Sequence, residues 1–108
     1  MVFVDRKKEY DKNWINHRRS IKRQAVFEYF QKHWCIDCGE RDPIVLEFDH
    51  VDRTKKVNTV SAMIRSGTSI ETMMLEIAKC VVRCANCHRR RTYSEQTGSW
   101  RLTFTGAT

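Results

Sequence analysis

Two Cys-x-x-Cys pairs, Cys35-Ile-Asp-Cys38 and Cys84-Ala-Asn-Cys87, give this chain four thiols in metal-ligand spacing. Four thiolates complete a tetrahedral zinc shell and leave no open position for a substrate. Cys35, Cys38, Cys84 and Cys87 are therefore expected to hold a structural Zn²⁺. Between the pairs, Leu46-Glu-Phe-Asp49-His50 is a short apolar run that ends in an acid and an imidazole, and His88 directly follows the second pair. Zinc bound by four sulfurs needs none of Asp49, His50 and His88. A carboxylate oxygen and an imidazole nitrogen suit a loosely held divalent ion, with water and phosphate oxygens filling its remaining positions. A neighbouring neutral histidine can take a proton from water. A base, a Lewis acid and a nearby cation are the minimum for hydrolysing a phosphodiester with one metal ion.

The elements that must bring these groups together can be read in order. Residues 5–33 read as a helix, with Ile15, Ala25, Val26, Tyr29, Phe30 and His33 drifting along one face. Packing through Phe27, Phe30 and Trp34 is expected, with Arg18, Arg19, Lys22 and Arg23 on the opposite side, where few acids interrupt the charge. Gly39 after the first cysteine pair marks a turn, and Ile44-Val-Leu-Glu-Phe48 reads as a strand that delivers Asp49 and His50 to its end. A short helix is expected from Val57 to Ile64, closed by Ser66-Gly67. A second follows a capping box with Thr68 as N-cap and Glu71 reaching back. Its core face would carry Ile70, Met73, Met74, Ile77 and Ala78. Cys80 to Arg83 reads as a second strand, with Cys80 as a small buried residue, and 85–96 as a helix carrying His88, Arg89, Arg90 and Arg91. In the tail, 97–108, Trp100, Leu102 and Phe104 alternate, which suits a strand or packing across the core.

Composition narrows the class. The 108 residues contain 20 Lys and Arg against 13 Asp and Glu, a net charge of +7 that attracts polyanions, nucleic acid first among them. No linker-like or repeated stretch divides the chain, so one domain over 1–108 is expected. No apolar run approaches the length of a membrane span, and the N-terminus becomes charged at once. The expectation is a cytoplasmic protein without a membrane partner. In that compartment paired cysteines bind metal more often than they form disulfides.

Cys35-x-x-Cys38, Leu46-Glu-Phe-Asp49-His50 and Cys84-Ala-Asn-Cys87-His88-Arg together resemble the zinc-stapled HNH endonucleases, the ββα-metal nucleases often encoded by phages and prophages beside the packaging terminase. The likeness covers about residues 34–92. It implies an α+β fold: a ββα-metal core (34–96) stapled by the four cysteines, with a basic helical N-terminal extension (1–33), a helical insertion (57–79) and a tail. It implies that His50 is the general base, that Asp49 and His88 hold a catalytic divalent ion such as Mg²⁺ or Mn²⁺, and that DNA is the substrate. A phage terminase would be the partner. Phosphate contacts fall to Arg18, Arg19, Lys22, Arg23, Arg89, Arg90 and Arg91. A monomer or weak dimer is expected, nicking one strand per active site. In one respect the chain departs from the pattern. Lys79 stands where the family's middle Asn usually fixes the loop carrying the base; Asn58 and Asn86 are the candidates to compensate, and neither sits in the usual place.

The rival reading is a non-catalytic zinc module that binds nucleic acid. It accounts for the cysteines and the charge, though not for Asp49, His50 and His88. A zinc deaminase is excluded, because that chemistry needs an open zinc position and a glutamate beside a ligand.

Overall fold

The computed structural model describes residues 2–95 and 100–104. Among them are four α-helices, α1 (Val2–Phe30), α2 (Val60–Arg65), α3 (Ile70–Ile77) and α4 (Ala85–Glu95), and two strands, β1 (Leu46–His50) and β2 (Cys80–Cys84). The strands pair antiparallel, with Leu46 opposite Cys84, Phe48 opposite Val82 and His50 opposite Cys80. The class is α+β, as expected. β1 starts later than the apolar run does. Asp42 accepts hydrogen bonds from the amides of Ile44 (3.0 Å, side chain) and Val45 (3.1 Å, carbonyl), and this turn takes both residues out of the strand.

Strand alternation divides β1 into two faces. Phe48 looks toward α1, where it stacks on Phe30 with ring centroids 4.8 Å apart, and Asp49 looks toward α4, where it meets Arg91. Two buried clusters form the core. Phe30, Leu46 and Val82 pack around Cys35, Cys84 and Cys87; Val60, Met63, Met73 and Ile77 form the second group under α2 and α3. Val26, Tyr29 and Phe48 touch both and join them.

α1 packs by its last two turns, through Ala25, Val26, Tyr29 and Phe30. Phe27 and Trp34, expected in the core, are exposed, and Trp34 instead holds the Arg41 guanidinium 3.7 Å from its ring centre. α3 is capped by Ser69, not Thr68. The Ser69 hydroxyl accepts from Thr72 N, so the third helical residue is Thr72 and Glu71 makes no capping box. Thr68 is occupied elsewhere, its hydroxyl pairing with Ser66 Oγ (2.7 Å) and its carbonyl accepting from Lys22. The buried face of α3 is Met73, Glu76 and Ile77, whereas Met74 is exposed. Trp100–Phe104 is a 3₁₀ turn, not a strand, with both end aromatics exposed; 97–99 and 105–108 lie outside the described residues. Among the described residues no helix is long and apolar enough to cross a membrane.

Candidate functional site

The two cysteine pairs sit where helix, strand and turn meet. Cys35 lies in the turn after α1. There the Gly39 amide donates to its carbonyl (2.9 Å), and Gly39 itself takes φ 79°, a left-handed conformation that disfavours any residue with a Cβ. Cys84 ends β2, and Cys87 lies in the first turn of α4 with its amide 3.4 Å from the Cys84 sulfur. The four sulfurs lie within 4.8 Å of one another, and those of Cys38 and Cys84 are 3.7 Å apart. Sulfurs on a tetrahedral zinc ion stand about 3.8 Å apart, given a Zn–S bond of about 2.3 Å. All five cysteines are unpaired, and the 3.7 Å between the Cys38 and Cys84 sulfurs is well beyond the roughly 2.05 Å of a disulfide. Sulfurs this close do not share four negative charges by themselves. The Cys87 thiol is pushed up to about 12, first by its hydrogen bond to Cys84 and then by burial. At Cys35 burial acts the same way, but the backbone amides of Cys84, Cys38 and Asp37 prevail and hold the thiol down to about 6. The donor set could hold a metal ion, and its spacing fits zinc.

Beside this cluster, β1 and α4 form one wall of a cleft of about 470 Å³, lined by Asp49, His50, His88, Lys56, Arg53 and Thr92 among others. All three residues singled out by type therefore reach one cavity. Asp49 is 2 % exposed. Its Oδ2 receives Arg83 and Arg91, each at 2.8 Å, and its Oδ1 lies 3.5 Å from His88 Nε2. Burial alone would raise the Asp49 pKa; the hydrogen bonds from Arg91 and Arg83 outweigh it and keep the group an anion.

Each of the two cleft histidines has one nitrogen at hydrogen-bond distance from a carboxylate. His88 Nδ1 is 2.8 Å from Glu47 Oε1, and His50 Nε2 is 2.7 Å from Glu76 Oε2. A carboxylate can only accept, so these nitrogens carry the protons. His88 then turns Nε2 toward Asp49.

Glu47, Glu76 and Arg83 are the contributors that residue type did not reveal. Glu76 is 2 % exposed, and it also accepts from Lys79 Nζ (2.9 Å) and Val57 N (3.1 Å). Burial opposes its charge, but Lys79, His50 and Val57 bring its pKa down to about 2. Lys79 Nζ also donates to the Lys55 carbonyl (3.0 Å). It thereby ties down the loop after β1, the task expected of an asparagine. Asn58 bonds only the amide of Thr59, and Asn86 sits on α4. Arg83 links Asp49 to Asp37 (2.7 Å), inside the first cysteine turn.

The basic residues separate into free and occupied groups. Lys22 is 3 % exposed and donates to the carbonyls of Met63 (2.6 Å), Ser66 (2.8 Å) and Thr68 (3.0 Å), so it caps the end of α2 and is not available to a phosphate. Burial, and then repulsion from Arg18 and Arg19, lowers its pKa. Arg91 is held by Asp49 and by Glu95 (2.9 Å). Arg19 donates to the Arg65 carbonyl, and Arg18 lies over the Trp14 ring. Arg23, Arg89 and Arg90 are exposed. Lys56 lines the cleft, and its ammonium has no ion pair among the described residues.

Comparisons with family models, curated proteins and solved structures find no match. What the site can do rests on its own geometry.

Proposed function

We propose that this protein is a metal-dependent DNA endonuclease of the HNH type, with the four cysteines holding a structural zinc. The observation that carries this reading is the pairing of Asp49 Oδ1 with His88 Nε2 at 3.5 Å, in a cleft that His50 also lines. Two ligands of one octahedral ion stand about 3 Å apart at bond lengths of about 2.1 Å. Glu47 supports the assignment, since a metal-binding histidine usually gives its other N–H to a carboxylate that sets the ring's orientation. Mg²⁺ or Mn²⁺ held there by Asp49 and His88 would supply positive charge at the scissile phosphate and the leaving oxygen. His50 takes a proton from water. The water oxygen bonds to phosphorus while one sugar oxygen departs and takes a proton from solvent, giving a phosphate monoester and a hydroxyl; His50 then returns its proton to solvent. Lys56, Arg89 and Arg90 are the cations placed for neighbouring phosphates, which predicts weak sequence preference and steep salt dependence. Action beside a phage packaging terminase belongs to the same proposal and rests on the resemblance alone.

One observation favours the non-catalytic nucleic-acid module instead: Arg83 and Arg91 already neutralise Asp49. Nicking of supercoiled plasmid in Mg²⁺ or Mn²⁺ separates the two. Activity in the wild type, lost by at least about 100-fold in a His50→Ala protein that keeps its zinc, is the expected result. Salt-sensitive DNA binding without cleavage under either ion would establish the module.

A further inference from the structure

We propose that Glu76 is the positioning residue of the candidate base: it fixes His50 with Nε2 protonated and turned inward, leaving the Nδ1 lone pair toward the cleft. The catalytic half of this inference rests on the nuclease reading above; the tautomer half does not.

The geometry is specific. Oε2 of Glu76 lies 2.7 Å from His50 Nε2, and both residues are buried. An ionised carboxylate accepts only, so the proton must sit on Nε2, and a neutral ring then has its lone pair on Nδ1. That second nitrogen has no hydrogen-bond partner among the described residues. It is also absent from the buried, unpartnered side-chain atoms, of which Arg19 Nε is the sole case there. Nδ1 is therefore not sealed in the core, and it belongs to a residue, 6 % exposed, that lines the 470 Å³ cleft with Asp49 and His88.

The carboxylate is itself immobilised. Lys79 Nζ holds Oε1 at 2.9 Å, and Val57 N donates to Oε2 at 3.1 Å. The Lys79 ammonium then reaches the Lys55 carbonyl, while Val51 N donates to the Lys79 carbonyl at 3.1 Å. The loop after β1 is thus tied at Val51, Lys55 and Val57 to the same short stretch that aims the imidazole. A buried acid on the core face of α3 costs stability unless it is fully paired, and a hydrophobic residue there would serve packing alone. What Glu76 adds is a fixed tautomer in a ring that faces a cavity.

Glu76→Gln is the test, because glutamine keeps the shape but can present either an acceptor or a donor to Nε2. Two readouts are taken on zinc-loaded protein: the ¹⁵N shifts of the His50 ring, and kcat and KM for plasmid nicking. In the wild type, Nε2 is expected to have the shift of a protonated nitrogen and Nδ1 that of a bare one. In the variant, the two tautomers mix and kcat falls at least about 10-fold, and up to the roughly 10⁴-fold seen when the acid orienting a catalytic histidine becomes an amide, with KM changed less than about 3-fold. A wild-type ring protonated on Nδ1 would overturn the proposal, and so would a variant that nicks at the wild-type rate. If the wild type does not nick at all, the nuclease reading fails and the catalytic half fails with it, while the ring shifts still decide the tautomer. If Glu76→Gln does not fold, the wild-type shifts together with kcat for Glu76→Asp, which keeps the charge but withdraws it by one methylene, decide in its place; unchanged kcat there overturns the positioning role.

Discussion

The cysteine cluster and the cleft beside it share Arg83 as a link but are held together in opposite ways. The cluster gathers four groups of one kind, and the hydrogen bond to Cys84, then burial, push the Cys87 thiol up to about 12. The cleft mixes signs: Asp49 against Arg83 and Arg91, Glu76 against Lys79, and a carboxylate against each histidine. One region could take an ion from outside, whereas the other is neutralised by its own side chains. A self-neutralised cleft can keep its shape while substrate and ion come and go, and a cluster of like donors gives the fixed anchor against which that shape is held.

The largest effect should follow from breaking the anchor. Cys84→Ser, or stripping the metal with a chelator, removes a contribution of about 10–16 kcal/mol in small structural zinc sites. That equals or exceeds the whole stability of a typical domain, about 5–15 kcal/mol. Bound zinc falls to background, and the near-ultraviolet circular dichroism of the folded core is lost. A folded Cys84→Ser protein would mean that the ion pairs alone hold β1 to α4. Breaking the cleft should cost less. Asp49→Ala leaves Arg83 and Arg91 without their shared partner, a loss of roughly 3 kcal/mol in denaturant unfolding, moderated because Asp37 and Glu95 still engage them. The variant keeps its zinc and loses any nicking. Unfolding as complete as that of the cysteine variant would abolish the distinction between the two regions.

The cluster was legible because metal ligands announce themselves by local spacing, and two Cys-x-x-Cys pairs carry that spacing within each knuckle. Asp49, His50 and His88 were legible as types left over from zinc, and the β1–β2 pairing brings all three to one cavity. Glu76 was not, because a lone acid in an amphipathic stretch reads as a solvated residue until its helix is docked. One signal was present. Met73 and Ile77 set the buried face of α3, and Glu76 lies three residues from the first and next to the second; a charge on such a face implies a buried partner. Pairing across 26 residues, as between His50 and Glu76, leaves no mark in composition or period. The Thr68 cap failed for a more local reason, since the Thr68 hydroxyl pairs with Ser66 Oγ at 2.7 Å and leaves Ser69 to cap the helix.

Lys22 and its neighbours show the same limit from the side of charge, and they yield the smallest expected effect. Lys22 and Arg23 are adjacent cations and look alike in sequence, yet one caps α2 and the other is exposed. Lys22→Met keeps the aliphatic stem but strands three carbonyls, at a cost of about 1–3 kcal/mol. Because its ammonium faces inward, its loss should leave the salt dependence of DNA binding unchanged. Replacing Arg89 and Arg90 by alanine should do the reverse. Stability stays within about 0.5 kcal/mol for exposed residues, while the slope of log affinity against log salt becomes shallower by about 2, near 0.9 for each lost phosphate contact. Fluorescence anisotropy on a short duplex across a salt series measures both slopes. If Lys22→Met flattened the slope and the arginine pair did not, the DNA-facing surface would lie along α1 and away from the cleft, and the cleft would lose its claim on the phosphate backbone.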